Sequence, residues 1–523
     1  MAKVIRSSCD HMAVVATIVL GLDGANWNLI DPWLESGDLP NIRTLREQGI
    51  WGVSNSVLPP VTCPNWKCYA SSQPPGAHDV YWWEKVDKDT MSIDVPDSKS
   101  FGAPELWDYL NDEGLSAGVI NLPMSYPPRA IDEFMIGGGP RSREEDYTYP
   151  TEMENEIERE FGYRVHPRNV VTSGQERNGV EATLDLIETR FETAHQLLER
   201  RNLDFLHLTI FHLNVLQHYY WKGEPVESAW KLIDEQIGSF LDEDHTIFLM
   251  SDHGCDEIET VFYINEWLQA EGYLTLKTTA ADYLMKAGIT QERLANFVRA
   301  FGLEPTIRKY LPRRLIERFP DQEGIKRDNK FDKVDIQNSV AIASGQGLIY
   351  LLADPASSQY EMIRSDLMNK IDSLTTKQET PVAAKVRSGA DLYPEGDPEY
   401  RPDIVFEQSP GIHTSGAVGK GHVLDEPGQW AAENVRGGLF LAQGGMVAET
   451  GNIDSISILD IAPSVLYSMG LDIPEGFRGV PVKETNTDRE GITNRASLPD
   501  RGGELAGDGE DVRERLTDLG YLE

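Results

Sequence analysis

Apolar positions along this chain fall into short runs of β-branched residues, separated by stretches with the spacing of amphipathic helices. The first run, MAVVATIVLGL, ends at Asp23-Gly24 and is typical of a buried parallel strand. Comparable strand candidates are SAGVINLP, DFLHLTIF, HTIFLMSDHG, GLIYLLAD, PDIVFE and GGLFLAQG. Helical spacing lies between them, as in ATLDLIETRFETAHQLLERRN and SAWKLIDEQIGSFLD. This alternation predicts an α/β fold in which helices sandwich a mostly parallel central sheet.

The same pattern predicts how the chain is divided. Strand and helix alternate over residues 13–275 and 336–485, which we expect to form the core. Between them, residues 276–335 are helical in pattern and locally basic, and predict a helical cap insertion. Residues 486–508 are rich in Gly, Asp, Glu and Asn, which is typical of an acidic flexible linker. Residues 509–523 predict a short amphipathic C-terminal helix.

Composition narrows the functions that this chain can have. Its 523 residues include 48 basic and 85 acidic side chains, with a net charge of −37. So negative a field repels the phosphates of nucleic-acid polymers, and DNA or RNA binding is therefore not expected. Because the acidic residues are spread along the whole chain, we interpret them as a solvated surface suited to high salt, as in a halophilic protein.

The cysteines and the apolar runs indicate a cellular location. Four cysteines without a repeated CxxC spacing indicate a reducing compartment, not a disulfide framework. No run reaches the roughly 18 apolar residues of a membrane span. The N-terminal run resembles a short signal sequence, but it leads straight into Asp23 without a small-residue cleavage site. We therefore interpret it as the first strand and expect a cytoplasmic protein.

Polar side chains follow several of the predicted strands. Asp23, Asn214 and Asp252 each stand at the carboxyl end of a strand, where α/β sheets form their binding sites. Asp252 is followed by His253 and a glycine, so that adjacent carboxylate and imidazole groups lie on a tight turn. An Asp-His pair can simply cap a turn, but its place at a strand end favours a site for Zn²⁺ or Mn²⁺.

A second candidate for chemistry is the proline-rich segment LPPVTCPNWKCYASSQPPGAH. Prolines on both sides of Thr62 stiffen the chain and would fix its hydroxyl in space. A threonine hydroxyl needs a metal ion or a base to become nucleophilic. The small residues that follow predict entry into a helix, whose N-terminal amides can hold an anion. Taken alone, the segment is better interpreted as a proline-rich turn.

These motifs together resemble a known family. GLDGA, the T-x-P of TCPNW, PPGAH, N-x-x-x-H before an aromatic pair, SDHG with FYINEWL, and DIAPSVLYSMGLDIP occur in a fixed order. The ordered set is similar to the type I phosphodiesterases and nucleotide pyrophosphatases of the alkaline phosphatase superfamily. The resemblance extends over about residues 16–482, and it implies a divalent-metal enzyme of phosphoryl transfer.

The resemblance assigns roles to the residues of the motifs. It implies that the metal on the nucleophile side is bound by Asp23, Asp252, His253 and the Thr62 hydroxyl. Asn65 matches the residue expected to hydrogen-bond a non-bridging phosphate oxygen. The second metal of the family has an aspartate, a histidine four residues later and a distant histidine. This chain has Asn214, His218 and Asn434 at those positions, so two of the three ligands are neutral amides, which are weak ligands for zinc.

Three explanations for this departure are open. A histidine elsewhere, His212, His413 or His422, could serve as a substitute ligand. A cation, Lys67 or Arg436, could replace the charge of the second metal and leave a one-metal enzyme. Alternatively, the chain could bind phosphorylated ligands without turning them over.

The predicted function is a metal-dependent phosphohydrolase with one or two divalent ions, Zn or Mn, per chain. We expect it to act on a phosphorylated small molecule, a diester or nucleotide-type pyrophosphate, through a phospho-threonine formed on Thr62. The second metal site is expected to be degenerate. The alternative is a non-catalytic, regulatory or phospholigand-binding protein on the same fold. Neither the oligomeric state nor the substrate follows from the sequence.

Overall fold

The computed structural model describes residues 15–171, 176–241, 244–277, 333–448 and 451–501. Most of the expected cap insertion and the whole expected C-terminal helix lie outside these residues. The helices, in chain order, are α1 Trp27–Ser36, α2 Pro40–Gln48, α3 Thr62–Ser71, α4 Leu106–Asp112, α5 Met153–Phe161, α6 Glu176–Arg201, α7 His212–Tyr220, α8 Glu224–Gly238, α9 Ile264–Ala270, α10 Ser358–Asp372, α11 Gly389–Leu392 and α12 Ile461–Ser468. Single 3₁₀ turns occupy Pro75–Ala77, Ser98–Ser100, Ile336–Asn338, Ile458–Asp460 and Lys483–Thr485.

The strands belong to one large sheet and several small ones. In chain order they are β1 Thr17–Leu22, β2 Ile50–Asn55, β3 Lys85–Asp87, β4 Ser92–Asp94, β5 Ala117–Pro123, β6 Phe134–Gly138, β7 Thr148–Tyr149, β8 Phe205–Ile210, β9 Thr246–Met250, β10 Gly254–Glu257, β11 Thr260–Tyr263, β12 Ala341–Ala343, β13 Leu348–Leu351, β14 Ala383–Ser388, β15 Ile404–Gln408, β16 Ile412–Ser415, β17 Leu424–Asp425, β18 Ala432–Val435, β19 Gly437–Gln443, β20 Gly451–Asn452, β21 Ile456–Ser457, β22 Ile473–Pro474 and β23 Asn494–Arg495.

The large sheet has the order β20-β2-β19-β9-β1-β8-β5-β6-β7, with β21 also paired to β2. Strands β9, β1, β8, β5 and β6 run parallel, whereas β19 and β7 are antiparallel to their neighbours. The sheet is therefore mostly parallel, as predicted. The strand β1 is buried along its whole length, which explains its nearly continuous apolar sequence.

Helices cover both faces of this sheet. Side chains of β1 alternate between two hydrophobic layers: Ile18, Leu20 and Leu22 face one layer and Val19 faces the other. The first layer includes side chains of α1, α2, α6, α7 and α8. The second includes side chains of α3, α4 and α12. The central strands are thus held rigidly between two packed layers, and their carboxyl ends meet at one edge.

Two of the expected strands do not belong to the central sheet. The runs GLIYLLAD and PDIVFE form β13 and β15, which lie in a separate antiparallel sheet of order β12-β13-β15-β14. This sheet has a hydrophobic core of its own, to which Leu367 and Ile371 of α10 contribute. A buried apolar run looks the same in either kind of sheet, so the sequence pattern did not separate them.

The segment expected to be a flexible linker is ordered against the core as far as residue 501. Strand β23 pairs in parallel with β22, and three arginines fasten the segment to the body. Arg489 donates to the Leu471 carbonyl oxygen at 2.5 Å, Arg495 contacts Glu113 at 2.6 Å, and Arg501 contacts Asp108. The acidic composition suggested a solvated chain, but the arginines that lie among the acidic residues form ion pairs with carboxylates of the core. In the described part of the chain, no helix has the length and apolar character needed to cross a bilayer.

Candidate active site

The first group of site residues lies where two neighbouring parallel strands end. Asp23 follows β1, and Asp252 and His253 follow β9, which pairs with β1. The turns after these two strands are bound together, since Gly24 N donates to Asp252 Oδ1 at 3.3 Å and Asn26 Nδ2 donates to Cys255 O at 2.7 Å. Asp23, Asp252 and His253 therefore converge, with one ligand atom from each within 4.8 Å of the others, and all three are buried.

Helix α3 brings the threonine to this cluster. Thr62 is the first residue of α3 and is fully buried. Its hydroxyl Oγ1 lies 3.3 Å from Asp23 Oδ1 and 3.1 Å from His253 Nε2. One turn further along α3, Trp66 Nε1 donates to Asp23 Oδ2 at 2.9 Å and so orients that carboxylate. A residue at Thr62+4 shares its face of the helix, which is the sequence signal that could have identified Trp66.

The polar atoms of this cluster are arranged for a cation. His253 Nδ1 lies 2.9 Å from Gly254 O, which can only accept, so Nδ1 carries the proton and Nε2 of a neutral ring is an acceptor. Nε2 then faces Asp252 Oδ2 at 3.1 Å and Asp23 Oδ1 at 3.7 Å. Asp252 Oδ2 is buried and accepts no hydrogen bond from a described residue. Two carboxylates, an imidazole and a hydroxyl with acceptors turned inwards fit a divalent metal ion.

The pKa values of the cluster agree with this need for positive charge. Burial and the negative charge of Asp252 raise the pKa of Asp23 well above its usual range. Burial alone would lower the pKa of His253, but the charges of Asp252 and Asp23 raise it to about 9. Carboxylates so close to each other need a proton or a metal ion to neutralise their mutual repulsion.

The second group of predicted ligands is assembled by different elements. Asn214 and His218 lie one turn apart on α7, the helix that follows β8. Asn434 comes from β18, which pairs antiparallel with β10 so that Asn434 is opposite Cys255. The three residues are buried beside the first group, and Asn214 approaches Gly24 closely. A Cβ atom on Gly24 would lie 2.2 Å from Asn214 Oδ1, and φ at Gly24 is +71°, so both space and conformation require glycine there.

The two asparagines of this second group bind each other. Asn214 Nδ2 donates to Asn434 Oδ1 at 3.2 Å. His218 Nδ1 lies 2.6 Å from the Ala432 carbonyl oxygen, and its ring stacks on Trp430 with centroids 3.8 Å apart. Burial lowers the pKa of His218 to about 4, so the ring is neutral near pH 7. The hydrogen bond uses Asn214 Nδ2 and Asn434 Oδ1, whereas Asn214 Oδ1 is buried and accepts no hydrogen bond from a described residue. Neutral amide oxygens are weaker ligands for Zn²⁺ than carboxylates.

Among the proposed substitutes, His413 lies nearest to this second group. Its Nδ1 forms a short ion pair with Glu433, the residue before Asn434. Burial would raise the pKa of Glu433, but the charge of His413 lowers it to about 2. Glu433 Oε1 also accepts from Gln346 Nε2 at 2.8 Å and from Asn434 N at 2.7 Å. The sequence analysis missed Glu433 and Gln346. No motif links Glu433 to His413, which lies twenty residues earlier, or to Gln346.

The other substitutes are committed to different partners. His212 contacts the buried Arg190, and His422 pairs with Asp425 at the surface. Lys67 is buried in an ion pair with Glu105, which balances its positive charge. Arg436 donates to the Ser56 carbonyl oxygen at 3.2 Å and lies 3.7 Å from Glu407.

Asn65 is bonded to the loop that leads into α3. Its Oδ1 accepts from Val57 N at 3.0 Å, and its Nδ2 donates to Pro59 O and Val61 O, each at 2.9 Å. The side chain thus satisfies backbone groups of this loop and helps to fix its conformation. A contact between Asn65 and phosphate stays a prediction.

Known structures of low sequence identity share this fold. Phosphonoacetate hydrolase from Sinorhizobium meliloti 1021, in complex with phosphonoformate, is similar with a TM-score of 0.55 at 14% identity, over 87% of this chain and 95% of that chain. An inactive variant of murine ectonucleotide pyrophosphatase / phosphodiesterase 5, in complex with AMP, is similar with a TM-score of 0.50 at 10% identity, over the same shares of the two chains. These likenesses confirm the predicted fold.

Sequence comparison gives the family. No curated protein matches the sequence of this chain. The family model described as type I phosphodiesterase / nucleotide pyrophosphatase matches residues 17–416, which include every residue of the Asp23, Thr62, Asp252 and His253 cluster. The match covers well over half of the chain, and the family depends on divalent metal ions, for which the cluster offers a site. The chain therefore belongs to the type I phosphodiesterase / nucleotide pyrophosphatase family of the alkaline phosphatase superfamily.

Proposed function

We propose that this protein hydrolyses phosphodiesters or nucleotide-type pyrophosphates through a covalent intermediate on Thr62, with one divalent metal ion. The observation that carries the proposal is the position of the Thr62 hydroxyl, 3.3 Å from Asp23 and 3.1 Å from His253 inside a buried set of metal-binding groups. A divalent ion held by Asp23, Asp252 and His253 would lower the pKa of that hydroxyl and offset the negative charge that builds up on phosphorus.

The residues of the chain supply the rest of the reaction. Asp23 Oδ1 lies in hydrogen-bond range of Thr62 and is suited to accept its proton. The bond from Thr62 Oγ1 to phosphorus then forms as the bond from phosphorus to the leaving oxygen breaks. Water subsequently attacks phosphorus, the Oγ1–phosphorus bond breaks, and Asp23 returns its proton to Oγ1. The proton lost by the attacking water balances the one that the departing alkoxide takes from solvent. Trp66 keeps Asp23 oriented throughout, and the burial of Thr62 limits the access of bulk water.

One metal ion is proposed because the second set holds two neutral amides in place of charged or imidazole ligands. The hydrogen bond between them already uses Asn434 Oδ1 and leaves Asn214 Oδ1 as the one amide oxygen of the pair that accepts no hydrogen bond from a described residue. No step of the proposed reaction depends on that ion. We propose Mn²⁺ or Zn²⁺ for the first site, because its donors are two carboxylates, an imidazole and a hydroxyl.

The test is turnover of bis(4-nitrophenyl) phosphate with added Mn²⁺ or Zn²⁺ by the wild type, Thr62→Ala and Thr62→Ser. We expect Thr62→Ala to lose activity by about 10³-fold or more, and Thr62→Ser to keep a measurable part of it. Acid quenching during turnover should trap a 4-nitrophenyl phosphoryl adduct on the peptide that contains Thr62. Equal rates for the wild type and Thr62→Ala would exclude the covalent mechanism.

The same asparagine pair favours a second candidate function, a protein that binds a phosphorylated ligand without turning it over. That candidate predicts no hydrolysis by the wild type, together with metal-dependent binding of a phosphodiester. Binding without turnover, measured by calorimetry with dimethyl phosphate, would support it over the hydrolase.

A further inference from the structure

A cleft of about 240 Å³ opens beside Asn434, which is one of its lining residues. Its walls come from β15, from the loop that joins β15 to β16, and from β18, and Pro60, two residues before Thr62, also lines it. Apolar side chains, Phe406, Ile412 and Pro410 among them, form part of the lining. We name it the Gln346 cleft, after the residue that lines it between β12 and β13.

Gln346 is held in the wall of this cleft in an unusual way. It is buried, with φ of +51°, a conformation that side-chain-bearing residues rarely adopt. Its Nε2 donates to Glu433 Oε1 at 2.8 Å, whereas its Oε1 is buried and accepts no hydrogen bond from any described residue. A strained backbone that presents a buried, unsatisfied acceptor costs stability and is typical of a site that meets a ligand.

The charges around the cleft indicate what kind of ligand this is. Asp256, Glu257, Glu407 and Glu433 line it, and Arg436 is the one basic residue among the described residues of its lining. The Arg436 guanidinium is 3.7 Å from Glu407 and donates to the Ser56 carbonyl oxygen, so its positive charge is offset by Glu407 and is outnumbered by the carboxylates of the lining. An anionic group entering the cleft would meet net negative charge, whereas a hydroxyl group would find acceptors.

From these features we infer that the Gln346 cleft receives the alcohol portion of the substrate, and that it selects an uncharged polyol over both an alkyl alcohol and an anionic one. The inference rests on the proposed function, which puts phosphorus at Thr62, and names the class of alcohol esterified to it. The volume suits a three- to six-carbon polyol, whose hydroxyl groups would donate to Gln346 Oε1 while its carbon skeleton contacts Phe406 and Ile412. A ligand without hydroxyl groups would leave the buried acceptor unsatisfied, which is the kind of difference that gives strong discrimination.

The experiment measures binding and is therefore independent of turnover. Three phosphodiesters share a methyl group on one side and carry a glyceryl, a propyl or a carboxyethyl group on the other. They are titrated calorimetrically into full-length Thr62→Ala protein loaded with Mn²⁺. We expect the glyceryl diester to bind about tenfold more tightly than each of the other two. Equal dissociation constants for the glyceryl and propyl diesters would mean that the cleft holds only solvent, and tighter binding of the carboxyethyl diester would overturn the charge argument.

Two variants connect the preference to the cleft. Gln346→Met has a similar volume but lacks the amide, and we expect the advantage of the glyceryl diester to fall to about threefold or less. Gln269→Met, on the exposed face of α9, is the matched control and should leave all three dissociation constants unchanged. If Gln346→Met does not fold, Ala384→Trp at the exposed rim of the cleft serves instead and should weaken glyceryl binding. An undiminished preference in the folded variants would overturn the assignment of the cleft.

Failure of this inference can be distinguished from failure of the proposed function. If the wild type hydrolyses methyl 4-nitrophenyl phosphate but the glyceryl diester binds no more tightly than the other two, the hydrolase proposal stands and the polyol cleft is contradicted. A clear preference without turnover would retain the cleft and indicate a binding protein. If none of the three diesters binds, both are contradicted.

Discussion

The two halves of the candidate active site are built from comparable positions but have opposite character. In one half, Asp23, Asp252 and His253 bring ligand atoms to within 4.8 Å of one another, and the Thr62 hydroxyl lies beside them. In the other, two neutral amides are joined by one hydrogen bond from Asn214 Nδ2 to Asn434 Oδ1. A carboxylate set needs a cation to be stable when buried, whereas an amide pair supplies its own donor and acceptor.

The difference between the halves is one of charge. An amide in place of a carboxylate carries no buried negative charge, and the partner amide supplies one hydrogen bond. The neighbouring His218 keeps its orientation because a backbone carbonyl oxygen and the ring of Trp430 hold it. The half of the site on α7 is therefore held in place by neutral groups. The negative charge of the site lies on the carboxylates that follow β1 and β9.

The largest effect should come from removing charge from the first half. We expect Asp252→Asn to abolish metal binding and to lower kcat/KM by about 10³-fold, because a second neutral ligand leaves too little charge to hold the ion. The measurement is metal content per chain by elemental analysis, together with diester turnover. Asp372→Asn, an exposed substitution at the end of α10, is the control. Full metal content in Asp252→Asn would mean that the ion is held elsewhere.

A reconstructed second half should bind a second ion. The double variant Asn214→Asp with Asn434→His restores a carboxylate and an imidazole beside His218, and we expect metal content to rise from about one to about two ions per chain. Asn214→Asp alone should bind no additional ion and should be less stable than the wild type, since it buries one more carboxylate next to Asp23 and Asp252. Two ions per chain in the wild type would instead show that the amide pair opens for metal.

A smaller effect tests the support of the first half. Trp66→Phe removes the donor to Asp23 Oδ2 but keeps an aromatic ring, and we expect metal affinity to fall about 10- to 100-fold. Trp107→Phe is the matched control, because Trp107 is equally buried in the same hydrophobic layer and contacts no residue of the cluster through hydrogen bonds. A competition titration with a chelator measures both, and equal affinities in the two variants would remove the role of Trp66.

The strands and the first half of the site could be predicted because both depend on local sequence. Runs such as DFLHLTIF and HTIFLMSDHG identify strands, and parallel neighbours bring the residues after them to one edge, so Asp23 and Asp252 meet. The fold and the family were confirmed on this basis. The metal-binding roles of these residues stay a prediction for the experiments above.

Other features depended on contacts between distant parts of the chain and could not be predicted. The Glu433–His413 ion pair and the position of Gln346 require β16, β18 and the turn after β12 to come together. The motif assigned Asn65 to phosphate, and it gave no sign of the hydrogen bonds that Asn65 makes to the loop at residues 57–61. Residues 486–501 were expected to be solvated on composition alone, which does not show that their arginines meet carboxylates of the core.

The smallest effect, and the sharpest separation of the two halves, should come from the amide pair itself. Asn214→Ala removes one hydrogen bond and leaves Asn434 Oδ1 unsatisfied, so we expect the free energy of unfolding to fall by about 1–3 kcal/mol. Metal content should not change, and kcat/KM should stay within about threefold, since no step uses Asn214. Asn434→Ala and the double variant complete a cycle in which the coupling free energy should be about 1 kcal/mol. Loss of metal in Asn214→Ala would show that Asn214 is a ligand of the bound ion. The two halves would then form a single metal site.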